Sequence, residues 1–529
     1  MNFPTDTTGL AASVPTEVVD LQDGDTFDLH ITPVTKQIGD ATVRMLAYNG
    51  SVPGPTLRVP QGAEIEVNVH NDGDLDATVH WHGLRLENRF DGTHETQDLI
   101  PVGGSYTARV AFPDAGVYWY HPHVREDYGQ EMGLYGNCIV VPSDPEYWPP
   151  VHRELALTLD DVLIEDGRIA PFSRTETTHA AMGRFGNVLL VGGSDALTLD
   201  ARWGEVVRLY LTNTANTRVF KVQLPGARMK LVGSDSGRVE REEIVSDVVL
   251  APSERAVVDV LFESPGLVAL EHRTPDRTYT LATVDVAQEA AEPLPFDSLR
   301  VDPELSEERL RVQSLIEAEP DKLLAFLAEM DMGGESSSYT CPMHPNVVSE
   351  TPGHCPDCGM KLMPSEMVGD SHDHEHQEHH HGHEHHHDHG STSDGIEWED
   401  DMVEVNRMTT PANMRWKLID RTTGAENHEI DWRFRVGDRV KIRLLNEMAG
   451  DHPMHHPFHV HGAGRFLVLA RDGVVEDNLA WKDTVLVRTG ETVDILLDVT
   501  NPGRWMAHCH IAEHHESGMM FSFDVLEAS

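Results

Sequence analysis

The feature that most constrains the fold is a short frame of alternating apolar and polar residues, hinged on a glycine, that occurs three times. Leu57–Asn71 (LRVPQGAEIEVNVHN), Leu199–Asn213 (LDARWGEVVRLYLTN) and Trp432–Asn446 (WRFRVGDRVKIRLLN) each place a glycine nine residues before an asparagine: Gly62, Gly204 and Gly437. On either side of the Gly-acidic or Gly-x-acidic turn, apolar residues recur with period two, the pattern of a half-buried strand. A second element closes each copy. Gly116 lies five residues before His121, Gly503 five before His508, and Gly266 five before Glu271, which His272 follows. Such self-similarity implies three related β-sandwich domains in an all-β chain. The first two glycines are 142 residues apart and the last two 233, so an insertion of about 91 residues separates the second and third frames.

Histidine is concentrated at two of the three closing elements. Four His-x-His pairs occur: His80/His82, His121/His123, His459/His461 and His508/His510. In a strand, each pair puts both rings on one face, ready to share a metal cluster. The last pair brackets Cys509, whose side chain then points to the opposite face. A thiolate and two imidazoles on adjacent residues thereby serve two separate metal sites along a very short covalent path. His514 and Met519 follow Cys509 by five and ten residues, and His456 supplies a second imidazole. Two His, one Cys and a distant Met make the ligand set of a blue-copper electron-transfer site. The middle copy keeps the frame without paired ligands, so metal chemistry belongs to the first and third domains, with the second as a spacer.

Composition narrows the partners. The 529 residues include 88 acidic and 41 basic ones, for a formal charge of -47. A phosphate backbone would be repelled, which excludes nucleic acid. Only 8 of the basic residues are Lys, and 33 are Arg. No apolar run reaches the length of a membrane span, and MNFPTDTTGL lacks the charged start and apolar core of a signal peptide. Five cysteines (Cys138, Cys341, Cys355, Cys358 and Cys509) suggest no disulfide framework, and Cys138 in its apolar run reads as a core residue.

The insertion has its own organisation. Asp302-Pro-Glu-Leu reads as a helix start, with Leu305, Leu310, Leu315 and Ile316 as its apolar stripe and a second short helix expected over Leu323–Leu327. From Tyr339 to Pro364, Cys355-x-x-Cys358 with Cys341 and His344 has the spacing of a metal knuckle. Met343, Met360 and Met363 add thioethers that favour Cu(I) over harder ions, while structural zinc remains the alternative. Ser371–Gly390 holds 11 of the 33 histidines. That composition supplies no packed core and is expected to be disordered and loosely chelating.

The motifs HWHG at 80–83, WYHPH at 119–123, HPFHVHG at 456–462 and HCHIAEHHESGM at 508–519 resemble, in order, the four copper signatures of the multicopper oxidase family. The insertion resembles the small heavy-metal-binding module of copper and silver export proteins. The resemblance implies three cupredoxin-like Greek-key domains: 1–148, 149–295 without copper ligands, and 393–529. Between them it leaves a helical linker at 296–337, the module at 338–366 and a His-rich linker at 367–392. It implies four copper ions. His456, Cys509 and His514 would hold the type 1 ion, with Met519 as weak axial ligand, and His80 and His459 the type 2 ion. His82, His121 and His510 would hold one type 3 ion, and His123, His461 and His508 the other. The module's Cys341, His344, Cys355, Cys358 and Met360 would take an extra Cu(I) or zinc. Asp91 matches an acidic residue that guides water and protons. Family members often carry Glu directly after the second type 1 His; here that residue is His515, which leaves His515, Glu513 or Glu516 as the proton source.

What the resemblance implies is an oxidase that reduces O2 to water. Its electrons would come from phenols and aromatic amines, in the manner of a laccase, or from Cu(I), in a role in copper tolerance. A copper-sequestering protein with little catalysis is the alternative. A monomer located in the periplasm or outside the cell is the family's habit, and type 1 sites with an exposed histidine edge commonly accept many donors in this family. Cys509→Ser is expected to abolish both the intense blue absorption and substrate oxidation. A blue, active variant would refute the assignment.

Overall fold

The computed structural model describes residues 1–528 except 332–337, 342–343, 345, 352, 354, 357–361, 366–393 and 449–452. All three frames form the expected strands: Thr56–Pro60 and Glu64–Asn71, Leu197–Trp203 and Val206–Asn213, Arg433–Arg435 and Arg439–Asn446. The glycine turn does not make a hairpin. In every copy it carries the chain from one sheet to the facing one. The first strand then pairs in parallel with a late strand (Leu57↔Cys138, Leu197↔Ala282, Phe434↔Val525). The second strand pairs in parallel with an early one (Leu29↔Val69, Leu155↔Leu209, Leu324↔Leu444). The result is three cupredoxin-like sandwiches, each a pair of sheets closed over its own apolar core.

Burial follows the alternation. Glu64–Asn71 shows one face to solvent and one to the core. Val206–Asn213 is buried on both faces, because its outer face meets the first sandwich through Val117, Ile139, Tyr210 and Val257. Cys138 is fully buried in the first core, as expected. Among the described residues, no helix is long and apolar enough to cross a membrane.

The helix expected after Asp302 runs from Pro303 to Ile316, and the Asp302 carboxylate caps it by accepting from Leu305 N at 2.8 Å. Its buried stripe is Leu305 and Val312, packed on Leu467 and Leu496; Leu310 faces solvent. The second helix expected over Leu323–Leu327 is instead part of a strand, Lys322–Met330. That strand pairs in parallel with Arg439–Asn446 and antiparallel with Met414–Asp420, so it is an interior strand, second from the edge, of the third sandwich's larger sheet. It matches Thr26–Ile38 and Arg153–Val162 of the other copies. Its run LLAFLA is apolar on both faces because both faces are covered, and period alone cannot separate such a strand from a buried helix. The segment is thus no linker, and the insertion leaves and re-enters within the third sandwich's sheet. The expected disordered tract at 371–390 lies outside the described residues.

Leu324 is fully buried among Ile442, Leu444 and Leu497. Leu324→Ala is expected to cost about 2–5 kcal/mol, read as a lower denaturation midpoint of the metal-free protein. A change near zero would return this segment to the status of a linker.

Candidate metal centres

Strand pairing brings the histidine pairs together. In the first sandwich His80–His82 lies antiparallel to Gly116–His121, with His80 opposite His121. In the third, His456–Val460 lies antiparallel to Gly503–Cys509, with His459 opposite His508 and Phe458 opposite Cys509. The two edges face each other across the seam between sandwiches. Their eight rings form three groups whose nitrogens lie within 4.8 Å of one another: His80, His82 and His459; His82, His121 and His510; and His123, His461 and His508. All eight are buried.

Hydrogen bonds behind the rings decide which nitrogen turns inward. Nδ1 donates to the Asp91 carbonyl from His80 (2.7 Å), to the Pro122 carbonyl from His121 (2.9 Å) and to the Asp483 carbonyl from His459 (2.9 Å). His461 Nδ1 donates to Asp91 Oδ2 (2.8 Å), and His508 Nδ1 to the Cys509 carbonyl (2.8 Å). Each contact fixes the tautomer with a lone pair on Nε2. His82 is reversed: its Nε2 donates to Asp483 Oδ1 (3.0 Å) and Thr484 Oγ1 (3.1 Å), leaving Nδ1 for the seam.

Of the nitrogens turned to the seam, His80 Nε2, His82 Nδ1, His121 Nε2 and His459 Nε2 have no hydrogen-bond partner among the described residues. Nε2 of His461 and of His508 stand 3.1 Å apart. Burial, reinforced by neighbouring rings, holds the group well below the ordinary imidazole pKa, and His80 is lowered to about 4 by burial. Neutral imidazoles with converging, unsatisfied lone pairs are costly without a cation and suited to one. The donor set fits copper.

On the other face of the same strand, Cys509 Sγ lies 3.4 Å from His456 Nδ1 and 3.7 Å from His514 Nδ1. The chain folds back beside the sulfur: Cys509 N donates to the Met519 carbonyl and Met519 N to that of His514, and Met519 is fully buried. Burial pushes the Cys509 thiol up, and the Ile511 N–H only partly offsets this, so a thiolate here calls for a metal ion. Both His456 and His514 are buried; Trp416 stacks on His514 at 3.9 Å, and His514 Nε2 donates to the Ala181 carbonyl at 3.3 Å. The middle sandwich therefore caps this site and does more than space the other two.

The acidic candidates separate by position. Asp91 is buried between His461 and His80, and burial raises its carboxyl well above the usual range. Glu513 faces away, accepting from Asn216 Nδ2 and Thr217 Oγ1 at 3.2 Å each, and burial raises it to about 7. His515 also lies beside the seam, its ring 4.5 Å from that of His508 and 4.9 Å from that of His123. Its Nδ1 is 3.2 Å from Glu126, whose other oxygen is 3.2 Å from His123 Nε2. Burial opposes the His515 charge, but Glu126 together with Glu516 and Asp127 outweighs it and the pKa is raised. Glu516 accepts from Glu126 N at 3.0 Å. Sequence reasoning missed Glu126, Asp483 and Thr484. Only Glu126, just past the HPH motif, carried even a positional hint.

In the inserted module, His344 Nδ1 lies 3.6 Å from Cys341 Sγ and 3.5 Å from Cys355 Sγ. These three could hold a metal ion together, and Cys358 and Met360 lie outside the described residues. Met363, at the module's end, is buried in the third sandwich's core cluster with Met330, Met414 and Trp416.

Cupredoxin-like sandwiches with buried imidazole groups at the seam and a Cys-His-His group behind them define a copper protein of the oxidase class. Sequence profiles described as multicopper oxidase match residues 30–145 and 399–529, and a heavy metal binding domain matches 338–365. The chain is 25% identical to the multicopper oxidase MmcO of Mycobacterium tuberculosis, over 95% of this chain and 88% of that protein. It is 24% identical to a copper resistance protein A homolog of Pseudomonas syringae pv. tomato, over 94% and 91%. A multicopper oxidase from Campylobacter jejuni, described as a metallo-oxidase, superposes with a TM-score of 0.67 at 20% identity over 99% of both chains. The chain belongs to the multicopper oxidase family, with a heavy-metal-binding module inserted in it. It is an oxidoreductase of the laccase and cuprous-oxidase reaction type.

Asp91→Ala removes the acceptor behind His461 and is expected to lower cluster copper affinity or turnover about 10–100-fold. The blue absorption should persist, and simultaneous loss of blue colour would contradict separate sites.

Proposed function

We propose that this chain is a four-copper oxidase that draws electrons mainly from Cu(I) and passes them to O2, in a role in copper tolerance. The observation that carries this reading is one strand with two faces: Cys509 turned to His456 and His514, and His508 and His510 turned to the seam. His456, Cys509 and His514, with Met519, would hold a type 1 ion, and His80 and His459 a type 2 ion. His82, His121 and His510, and His123, His461 and His508, would hold the type 3 pair. When bound, copper supplies one-electron redox chemistry and the four-electron reduction of O2.

The remaining work falls to the chain. Cys509 is joined by single peptide links to His508 and His510, the shortest covalent path between the two kinds of site. Burial excludes water from both. Asp91 orients His461 and holds a proton beside the seam. His515, bridged to His123 through Glu126, stands where the family resemblance would put a carboxylate. We divide the chain into sandwiches near residues 148 and 295, with the module as a separate unit, and treat it as a monomer of the periplasm or cell exterior.

Choice of donor rests on access. Trp416 and the Ala181 carbonyl cover His514, which blocks direct contact by a bulky phenol or aromatic amine and favours a small, soft ion. Met363 ties the module's Cys341, His344 and Cys355 to the same core. Two similar proteins, a copper resistance protein A homolog and a metallo-oxidase, point the same way. Oxygen uptake should be measured with Cu(I) and with a phenol, before and after deletion of residues 335–392. Selective loss with Cu(I) is expected; equal activity of both forms would sink the delivery role.

A further inference from the structure

Among the ring contacts at the seam, the reversed His82 stands apart, and the group behind it comes from all three sandwiches. Thr484 Oγ1 donates to Asp483 Oδ1 at 3.0 Å, so its lone pairs accept from His82 and from His459, each at 3.1 Å. Asp483 is gripped in turn by Arg255 of the middle sandwich, Nη1 to Oδ1 at 2.6 Å and Nη2 to Oδ2 at 2.5 Å, a fork only arginine can make. Arg255 Nε donates to the Val117 carbonyl of the first sandwich at 3.0 Å, and its Nη1 to the Ser253 carbonyl at 3.0 Å. Asp235 completes the group. It accepts from Arg255 N at 2.9 Å and from Lys482 Nζ at 3.1 Å.

Gly83, the last residue of the HWHG motif, is shaped to this pair. Its φ is +82°, and a Cβ there would fall 2.4 Å from Asp483 Oδ2 and 2.8 Å from Arg255 Nη2. Arg255 is fully buried and Asp483 nearly so. A buried ion pair is weak support for stability, and replacement by apolar residues is often neutral. Its placement directly behind one metal-facing ring gives it another use.

We propose that Arg255, acting through Asp483, is a positioning residue that holds His82 with Nδ1 turned to the seam, so that the copper-free middle sandwich governs the type 3 pair. The Asp483 carboxylate and the Thr484 lone pair demand a proton on His82 Nε2, which leaves the lone pair on Nδ1. Because Arg255 also grips the first sandwich, any separation of the sandwiches loosens the ligand and its support together. This rests on the four-copper reading above.

The test uses full-length, copper-loaded Arg255→Lys and Asp483→Asn, with Thr484→Val as the variant that removes no charge should Asp483→Asn fail to fold. Copper per chain, blue absorption and electron paramagnetic resonance are followed during titration with a copper chelator. In the variants, cluster copper should be lost at about 10-fold lower chelator concentration, with uncoupled copper signals appearing as the type 3 pair breaks. The blue absorption should stay at its wild-type level. Wild-type retention in the variants overturns the proposal, as does parallel loss of blue and cluster copper, the mark of a merely structural role. If the wild-type protein itself shows no coupled pair, the four-copper reading fails instead.

Discussion

Everything in this molecule depends on a seam where buried imidazole nitrogens from two sandwiches point at one another. Unsatisfied buried acceptors carry a full desolvation penalty, so bringing the two halves together costs free energy unless a cation joins them. Cations at the seam would turn that penalty into attraction. The middle sandwich keeps its frame and its Gly266 element but no paired ligands, because its task is to hold the other two in register.

The same constraint explains the economy of Gly503–Cys509. A strand paired on both sides has two faces fixed by its neighbours, here Phe458 and His459 on one side and Phe521 and Met520 on the other. A slip of one residue would put the sulfur in the seam and the imidazoles in the core. Register therefore separates two kinds of metal site at the smallest distance a polypeptide allows. The capping of His514 by Ala181 comes from the middle sandwich, so the same element that steadies the seam also closes the approach to the sulfur site.

Composition takes on a structural meaning at these junctions. The chain is rich in Arg and poor in Lys, and Arg184, Arg208, Arg218 and Arg255 are all buried with carboxylate partners. Arg218 pairs with Asp161 within the middle sandwich and reaches Glu399 beyond it, and Arg255 spans all three sandwiches. A planar fork satisfies two oxygens and a carbonyl at once, which an ammonium cannot do.

The sequence alone determined the strand frames, the number of sandwiches and the pairing of histidines, because period-two alternation and glycine turns are local consequences of backbone geometry. It also carried the two faces around Cys509, since alternation needs no knowledge of the partner. It misled at Lys322–Met330, where burial on both faces erases the period that distinguishes strand from helix. Tertiary structure alone decided the rest. Glu126 meets His515 across 389 residues, and Asp483 meets His82 across 401. The covering of His514, the reversal of His82 and the clamp through Arg255 all arise where separate sandwiches touch, and no local pattern records which surfaces will meet.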